Sequence, residues 1–85
     1  MHSFDGLLDR VGILSASVDY RYFNFGGKAL YLAGFSELLE LSQEIVVFRL
    51  KGGKRITIKG YNLALSEMDK EIVIIVGKIL SVEVL

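Results

Sequence analysis

The sequence contains no cysteine and only one histidine among its 85 residues. Without cysteine the chain has no disulfide framework, no thiolate metal site and no cysteine nucleophile. The histidine, His2, lies in an N-terminal stretch that we expect to fray, so a histidine-based triad or metal site would have to be built on it alone. We therefore expect no catalytic residue, no metal site and no bound cofactor.

An excess of charge of one sign and long apolar runs are missing as well. Ten basic residues balance ten acidic ones, which removes any global attraction to nucleic acid or anionic lipid. No apolar run approaches the roughly 18 residues that a transmembrane helix needs. Residues 1–6 lack a basic region, and Asp5 and Asp9 interrupt the stretch that would be apolar in a signal peptide, so we expect none.

Size and apolar content indicate one small folded domain. The apolar share of 52% excludes a disordered chain. A domain this short buries only about 60–65% of its unfolded surface, so it needs a dense core, oligomerisation or both. We predict an N-terminal helical segment over residues 1–17 and an antiparallel β domain over residues 18–85.

Apolar side chains at helical spacing define the N-terminal segment. Over residues 3–16 they gather on one face of a short helix: Phe4, Leu7, Leu8, Val11 and Leu14. A helix of this length is marginal in water by itself, so it must pack on something. We expect it to cover one face of the sheet, and docking on a partner is the alternative.

From Ser17 onward the apolar pattern has period two, which is typical of strands. Strands are predicted at 18–25, 28–33, 44–50, 54–59, 63–65, 70–76 and 79–84. A further stretch near 38–41 fits either a strand or one helical turn. No later segment is long enough for a crossover helix, which disfavours parallel pairing. We predict a mainly β fold, a single small antiparallel curled sheet or roll of about seven short strands.

The hairpin loop around residues 51–53 can be predicted in more detail. A two-residue loop would mix apolar and polar partners on both faces of the hairpin. A three-residue loop pairs Phe48 with Ile56 and makes the core face consistent. It also places Gly53 at the left-handed position of a type I turn with a G1 bulge.

A weak repeat ends in glycine three times. Two apolar residues on one strand face precede Gly34, Gly60 and Gly77. Within a strand, glycine marks a bulge, a bend or a close backbone approach. The unequal spacing argues against a solenoid, and three bent strand pairs in one curled sheet are the preferred interpretation.

The polar motifs do not indicate an enzyme. The Gly-Gly-Lys runs at 26–28 and 52–54 lack the spacing and following helix of a phosphate-binding loop, so we interpret them as hairpin turns. The carboxylates Glu67, Asp69 and Glu71 lie at a predicted turn, where solvated charge is the simplest interpretation.

One charge cluster is less ordinary. Five cations fall within eleven residues that contain no acid: Arg49, Lys51, Lys54, Arg55 and Lys59. The favoured register places Arg49 opposite Arg55 on the outer face, which costs stability. Solvated or protective charge is one interpretation, a binding site for a protein partner is a second, and a nucleic-acid or lipid site is a third, although no aromatic residue interleaves with the cations.

Two apolar features favour docking or self-association. The last predicted strand, 79–84, would offer open backbone groups if it lay at a sheet edge. The aromatic stretch 20–25 is a second adhesive surface. The interface residues that we predict from these two features are Tyr20, Tyr22, Phe25, Val82 and Val84.

Several segments of the chain combine glycines with alternating apolar residues: Leu50-Lys51-Gly52-Gly53, Ile56-Thr57-Ile58-Lys59-Gly60, Leu63-Ala64-Leu65, Glu71-Ile72-Val73-Ile74 and Gly77-Lys78-Ile79-Leu80-Ser81-Val82. With this pattern the chain resembles the YabP/YqfC family of sporulation proteins over about residues 28–84, and is closer to the YqfC branch. The segment from Gly77 to Val82 is the most specific part of the resemblance.

The resemblance implies a non-enzymatic structural or interaction module of spore-envelope (coat or cortex) formation. It would place the chain in the mother-cell cytoplasm, with the forespore surface as a site of action. The partners implied are other proteins of spore morphogenesis, with self-association as a further expectation. The alternative function is a small anion- or nucleic-acid-binding β module that uses the basic hairpin 49–59; a nucleic acid or a membrane surface is the less favoured partner.

Overall fold

The computed structural model describes residues 20–85, which form one open, six-stranded antiparallel sheet. The strands are β1 (Arg21–Phe25), β2 (Ala29–Ala33), β3 (Phe35–Leu41), β4 (Ile45–Leu50), β5 (Arg55–Met68) and β6 (Ile72–Val84). Their order across the sheet is β1-β2-β6-β5-β4-β3. The predicted mainly β, antiparallel fold is confirmed. The predicted helix over 3–16 lies outside the described residues.

The number of strands differs from the prediction because two strands are longer than expected. The predicted strands 54–59 and 63–65 are parts of β5, and 70–76 and 79–84 are parts of β6. The residues interpreted as boundaries lie at register shifts within β5, between Lys59 and Gly60 and between Tyr61 and Ala64. The strand bends there instead of ending. The ambiguous stretch near 38–41 is strand, as part of β3.

Gly60 and Gly77 allow the backbones of β5 and β6 to touch at this bend. A β-carbon on Gly60 would collide with the carbonyl oxygen of Lys78. A β-carbon on Gly77 would lie 2.6 Å from the carbonyl oxygen of Asn62, and Gly77 has a φ of +132°. Both glycines mark a close backbone approach, as the sequence pattern predicts.

Gly34 has a different role from the other two glycines of the repeat. It is the single residue between β2 and β3, with a φ of +88°. Its N–H donates to the carbonyl oxygen of Glu71 (3.0 Å), and its own carbonyl oxygen accepts from Lys51 (2.9 Å). The predicted three bent strand pairs are therefore wrong: Gly60 and Gly77 share one pair, and Gly34 turns a corner between strands.

One apolar core lies inside the curled sheet. It holds twelve buried side chains, and the fully buried ones come from four strands: Leu30 and Leu32 of β2, Val46, Phe48 and Leu50 of β4, Ile56 and Ile58 of β5, and Val73 and Ile75 of β6. Because β2 and β4 are not neighbours in the sheet, they share a core only if the sheet curls over itself. Each fully buried side chain of this kind contributes about 2 kcal/mol.

The β4–β5 hairpin has the predicted register but another turn type. Phe48 pairs with Ile56, so the loop has three residues. Gly53 has a φ of +96° and donates its N–H to the carbonyl oxygen of Leu50 (3.0 Å). Gly52 also has a positive φ, +95°, which fits the third position of a type II turn and excludes the predicted type I turn.

Candidate interaction surfaces

The fold brings Arg49 and Arg55 of the basic hairpin together and places an acid from β3 beside them. The two arginines are direct partners on β4 and β5, as predicted. On the other side Arg49 is the partner of Glu37 in β3, and the Arg49 Nε lies 3.4 Å from the Glu37 Oε1. Both side chains are largely exposed, so the pair contributes little stability. It does neutralise part of the charge of the cluster.

Two more carboxylates flank the same face. Glu83 of β6 is the partner of Thr57, which lies between Arg55 and Lys59 on β5. Glu40 of β3 is the partner of Val47 in β4 and lies on this same face. The run that is free of acids along the sequence therefore becomes a mixed-charge face in the folded sheet, which weakens its attraction for a polyanion.

An exposed aromatic surface lies on β1. All five residues of this strand are exposed, with Phe23 at 58% and Phe25 at 59% of their full area. The ring centroid of Phe23 lies 6.2 Å from that of Phe25 and 6.2 Å from that of Tyr31 on β2. Tyr31 pairs in turn with Ile74 of β6. We call Phe23, Tyr31 and Ile74 the outer row.

The outer row lies on the face of the sheet that points away from the core. Tyr31 alternates along β2 with Leu30 and Leu32, which are fully buried. Strand neighbours point to opposite faces, so Tyr31 and its partner Phe23 face outward. The row is thus an apolar stripe across three strands of the outer face, in which Phe23 is exposed and Tyr31 and Ile74 are half-buried.

The predicted interface residues fall into different environments. Tyr20 is partly buried against the core, so it does not belong to a free surface. Tyr22 pairs with Leu32 and lies on the core side of β1 at 38% exposure, whereas Phe25 is on the outer face. The sequence interpretation missed Phe23 and Tyr31. Period-two alternation could have found Phe23, since it shares a face with Phe25 and not with Tyr22.

The hydrogen-bond pattern of β2 shows where the backbone groups of β1 point. The N–H of Gly34 bonds to the carbonyl of Glu71, in register with the pairing of β2 and β6. Hydrogen-bonded pairs alternate in antiparallel sheets, so Leu32 bonds to β6 and Tyr31 bonds to β1. Phe23, the partner of Tyr31, therefore directs its N–H and C=O toward β2.

By the same alternation, Tyr22 and Asn24 direct their N–H and C=O away from β2. Among residues 20–85 no strand lies on that side of β1, so these groups form an open edge. The other edge of the sheet, β3, differs: two register shifts interrupt it, near Ser36 and Leu39. Bulges and charges such as Glu37 protect edge strands from pairing with other chains.

The second half of β6 is also open on one side. β2 pairs only with residues 72–76 of β6, while β5 pairs with β6 as far as Val84. Arg55 and Leu85 exchange backbone hydrogen bonds of 2.9 and 3.0 Å, so alternation directs the backbone groups of Val84 and Val82 away from β5. Their side chains pack against the core. Any contact here would use the backbone more than the side chains.

The acidic turn between β5 and β6 is held by one carboxylate. Asp69 accepts hydrogen bonds from the N–H groups of Glu71 and Ile72, both 2.8 Å, and these bonds lower the pKa of the Asp69 carboxyl. Beside the turn lies an open depression of about 420 Å³, which Arg21 and Tyr31 also line. Within residues 20–85 no three potential ligands group to hold a metal ion. The carboxylate stabilises the turn.

Comparisons with known proteins add no relative. Neither a scan of family models nor searches of curated proteins and of solved structures found a match for this chain. In the part of the chain that the structure describes, no helix has the length and apolar content to cross a membrane. The resemblance to the YabP/YqfC family stays a prediction.

Proposed function

We propose that this chain is a non-enzymatic interaction module that works through its open sheet edges and its outer row, and that it takes part in spore-envelope formation in the mother cell. The observation that carries the first part is the exposed aromatic surface of β1 beside a strand edge that no other strand of residues 20–85 covers. Other proteins of the spore envelope are the proposed partners.

The open edge of β1 and the outer row together form one contact surface. Unpaired N–H and C=O groups give a partner strand its hydrogen bonds, and neighbouring apolar side chains give it buried area. Phe23 and Phe25 provide that area at the strand itself. The contrast with the bulged, acidic β3 is informative, because among residues 20–85 the β3 edge has features that oppose pairing and the β1 edge has none.

The sporulation part of the proposal rests on the sequence resemblance over residues 28–84. Two glycines of that pattern, Gly60 and Gly77, are positions where a side chain does not fit. These two glycines of the family-like pattern are therefore required by the fold of this chain. The cellular process is taken from the family alone, and it needs its own test.

The basic hairpin is the less supported alternative. Lys51 and Lys54 are exposed at its loop, which suits an anion or an acidic protein. Against this, Glu37 pairs with Arg49, and Glu83 of β6 lies opposite Thr57, the residue between Arg55 and Lys59. A mixed-charge face fits a solvated or protective role better than a polyanion site.

The test follows a fluorescent fusion of the full chain in the source bacterium through starvation. We expect a signal that appears during sporulation and gathers around the developing spore. Phe23→Lys should disperse this signal. Tyr61→Lys is the matched control, since Tyr61 is similarly exposed (53%) and lies outside the outer row.

Two outcomes would contradict the proposal. A diffuse signal in growing cells, or a source organism that makes no endospores, would overturn the sporulation assignment. Dispersal by Tyr61→Lys but not by Phe23→Lys would overturn the assignment of the contact surface.

A further inference from the structure

The open edge of β1 has the hydrogen-bonding pattern of a strand that can pair with itself. Tyr22 and Asn24 each direct one N–H and one C=O outward. In an antiparallel pair of two β1 strands, Tyr22 of one copy can lie opposite Asn24 of the other, and the reverse. This register uses all four outward groups of each copy and forms four hydrogen bonds around a two-fold axis at Phe23.

The side chains are compatible with that register. Phe23 would lie opposite Phe23 of the partner subunit in a non-hydrogen-bonded pair, where Cα atoms are about 4.5 Å apart. Arg21 would lie opposite Phe25 of the partner subunit, so a cation meets an aromatic face at both ends. Like charges do not meet anywhere along the strand.

The same pairing extends the outer row. Within one copy the row runs from Ile74 through Tyr31 to Phe23. Across the two-fold axis it would continue through the second copy in the opposite order. Two apolar stripes would then become one, with the 58%-exposed Phe23 of each copy at its centre. Aromatic cross-strand pairs are among the stronger stabilising contacts of sheets.

We propose that two copies of this chain associate through antiparallel pairing of β1 with β1, centred on Phe23. This deepens the proposed function and rests on its premise that open sheet edges are contact surfaces. The partner is a second copy because both the hydrogen-bonding groups and the side chains of β1 are complementary to themselves.

The other edges are poorer choices for such a pair. The register shifts of β3 interrupt its row of outward groups, and Glu37 and Glu40 lie along it. In β6, Ser81 pairs with Lys59 and Ile79 with Gly60, so Leu80 is a bulged residue that breaks the edge. Among residues 20–85, β1 is the edge strand without a bulge.

Cysteine cross-linking tests the register directly, since the full chain has no cysteine of its own. Phe23→Cys should form a disulfide-linked dimer in a glutathione buffer. Phe25→Cys is the matched control: it replaces the same residue type, on the same face and at a similar exposure (59%). In the proposed register, position 25 of one copy lies about 13 Å along the strands from position 25 of the other, which is too far for a disulfide. Phe23→Cys should therefore cross-link roughly ten times faster than Phe25→Cys.

Proline at Tyr22 tests the backbone contribution. The N–H of Tyr22 points away from β2, so Tyr22→Pro removes an edge donor and no bond within the sheet. Tyr22→Thr loses the same ring but keeps the N–H. In sedimentation equilibrium we expect Tyr22→Pro to weaken dimerisation about tenfold or more relative to Tyr22→Thr, because each dimer loses two hydrogen bonds.

Each alternative result overturns the β1 dimer. Faster cross-linking of Phe25→Cys would exclude this register, and equal dimerisation of Tyr22→Pro and Tyr22→Thr would exclude edge pairing. A wild-type chain that stays monomeric at high concentration, or forms open-ended polymers, would exclude a two-fold pair. If the fluorescent fusion still gathers at the spore while dimerisation is absent, the proposed function stands and only its self-association fails.

Discussion

Gly60 lies against the backbone carbonyl of Lys78, so closely that a β-carbon at position 60 would overlap the oxygen. This contact joins the two longest strands at the point where both bend. Since both sides of the contact are backbone, neither can rotate away as a side chain would. The bend that encloses the core therefore depends on the absence of a side chain at position 60, as it does at position 77.

The first prediction concerns this contact. Gly60→Ala should destabilise the fold by about 3 kcal/mol or more, which is enough to remove cooperative unfolding from so small a domain. Gly26→Asn is the control, because Gly26 has a φ of +62° but open space around it, and asparagine tolerates that conformation. Denaturant unfolding measures both. A similar loss of stability in Gly60→Ala and Gly26→Asn would contradict a close backbone contact at Gly60.

The core and the outer row allow a matched pair of phenylalanine truncations. Phe48 is fully buried, and its ring centroid lies 4.9 Å from that of Phe35. Phe48→Ala should cost about 3–5 kcal/mol, whereas Phe23→Ala should change the free energy of unfolding by less than about 1 kcal/mol in the monomer. Chemical denaturation at low protein concentration checks this. A large effect of Phe23→Ala there would mean that it packs within its own chain.

The acidic turn predicts a pH dependence. Hydrogen bonds from the N–H groups of Glu71 and Ile72 lower the pKa of Asp69 in the folded chain below its ordinary value of 3.8. The stabilisation is therefore present above pH 3.8 and is lost as the pH falls through the lower, folded-state pKa. Asp69→Ala should reduce stability at neutral pH, and the difference from wild type should shrink in acid.

Thermal unfolding of wild type and Asp69→Ala at several pH values measures this difference. Glu67→Ala is the control for loss of a neighbouring exposed carboxylate. A deficit of Asp69→Ala that is the same in acid as at neutral pH would show that the ionised carboxylate does not hold the turn.

The basic hairpin predicts little affinity for nucleic acid. Its cations share their face with Glu37 and Glu83, so we expect no saturable binding of a labelled oligonucleotide at physiological salt, by fluorescence anisotropy. Binding that falls steeply with added salt would contradict this and favour the alternative function. Arg49→Glu combined with Arg55→Glu should then abolish it; if the double variant still bound, the hairpin would not be the site.

Local features of the fold could be predicted from the sequence. The pairing of Phe48 with Ile56 follows from a three-residue loop and from the need for one consistent core face, and both are properties of neighbouring residues. The antiparallel, mainly β character follows from period two and the absence of a crossover helix. The special role of Gly60 and Gly77 was also recognisable, because glycine in a strand pattern has few purposes.

What depends on distant residues could not be predicted. Gly60 was open to interpretation as a bend or a strand end, and only the contact with β6 decides between them. The acid beside Arg49 comes from β3, which precedes it by a dozen positions. Surface assignment failed for Phe23 because the aromatic stretch was treated as one patch, although its residues alternate between two faces.

The connection at Gly34 also has a consequence for the folding pathway. One residue links β2 to β3, yet in the sheet β6, β5 and β4 lie between them. β2 gains its second neighbour only when it pairs with residues 72–76, which lie about 40 residues later in the chain. Such non-local pairing is slow to form. We therefore expect the pairing of β2 with β6 to limit the rate of folding, and until it forms the aromatic strand β1 belongs to a two-stranded hairpin that is marginally stable by itself.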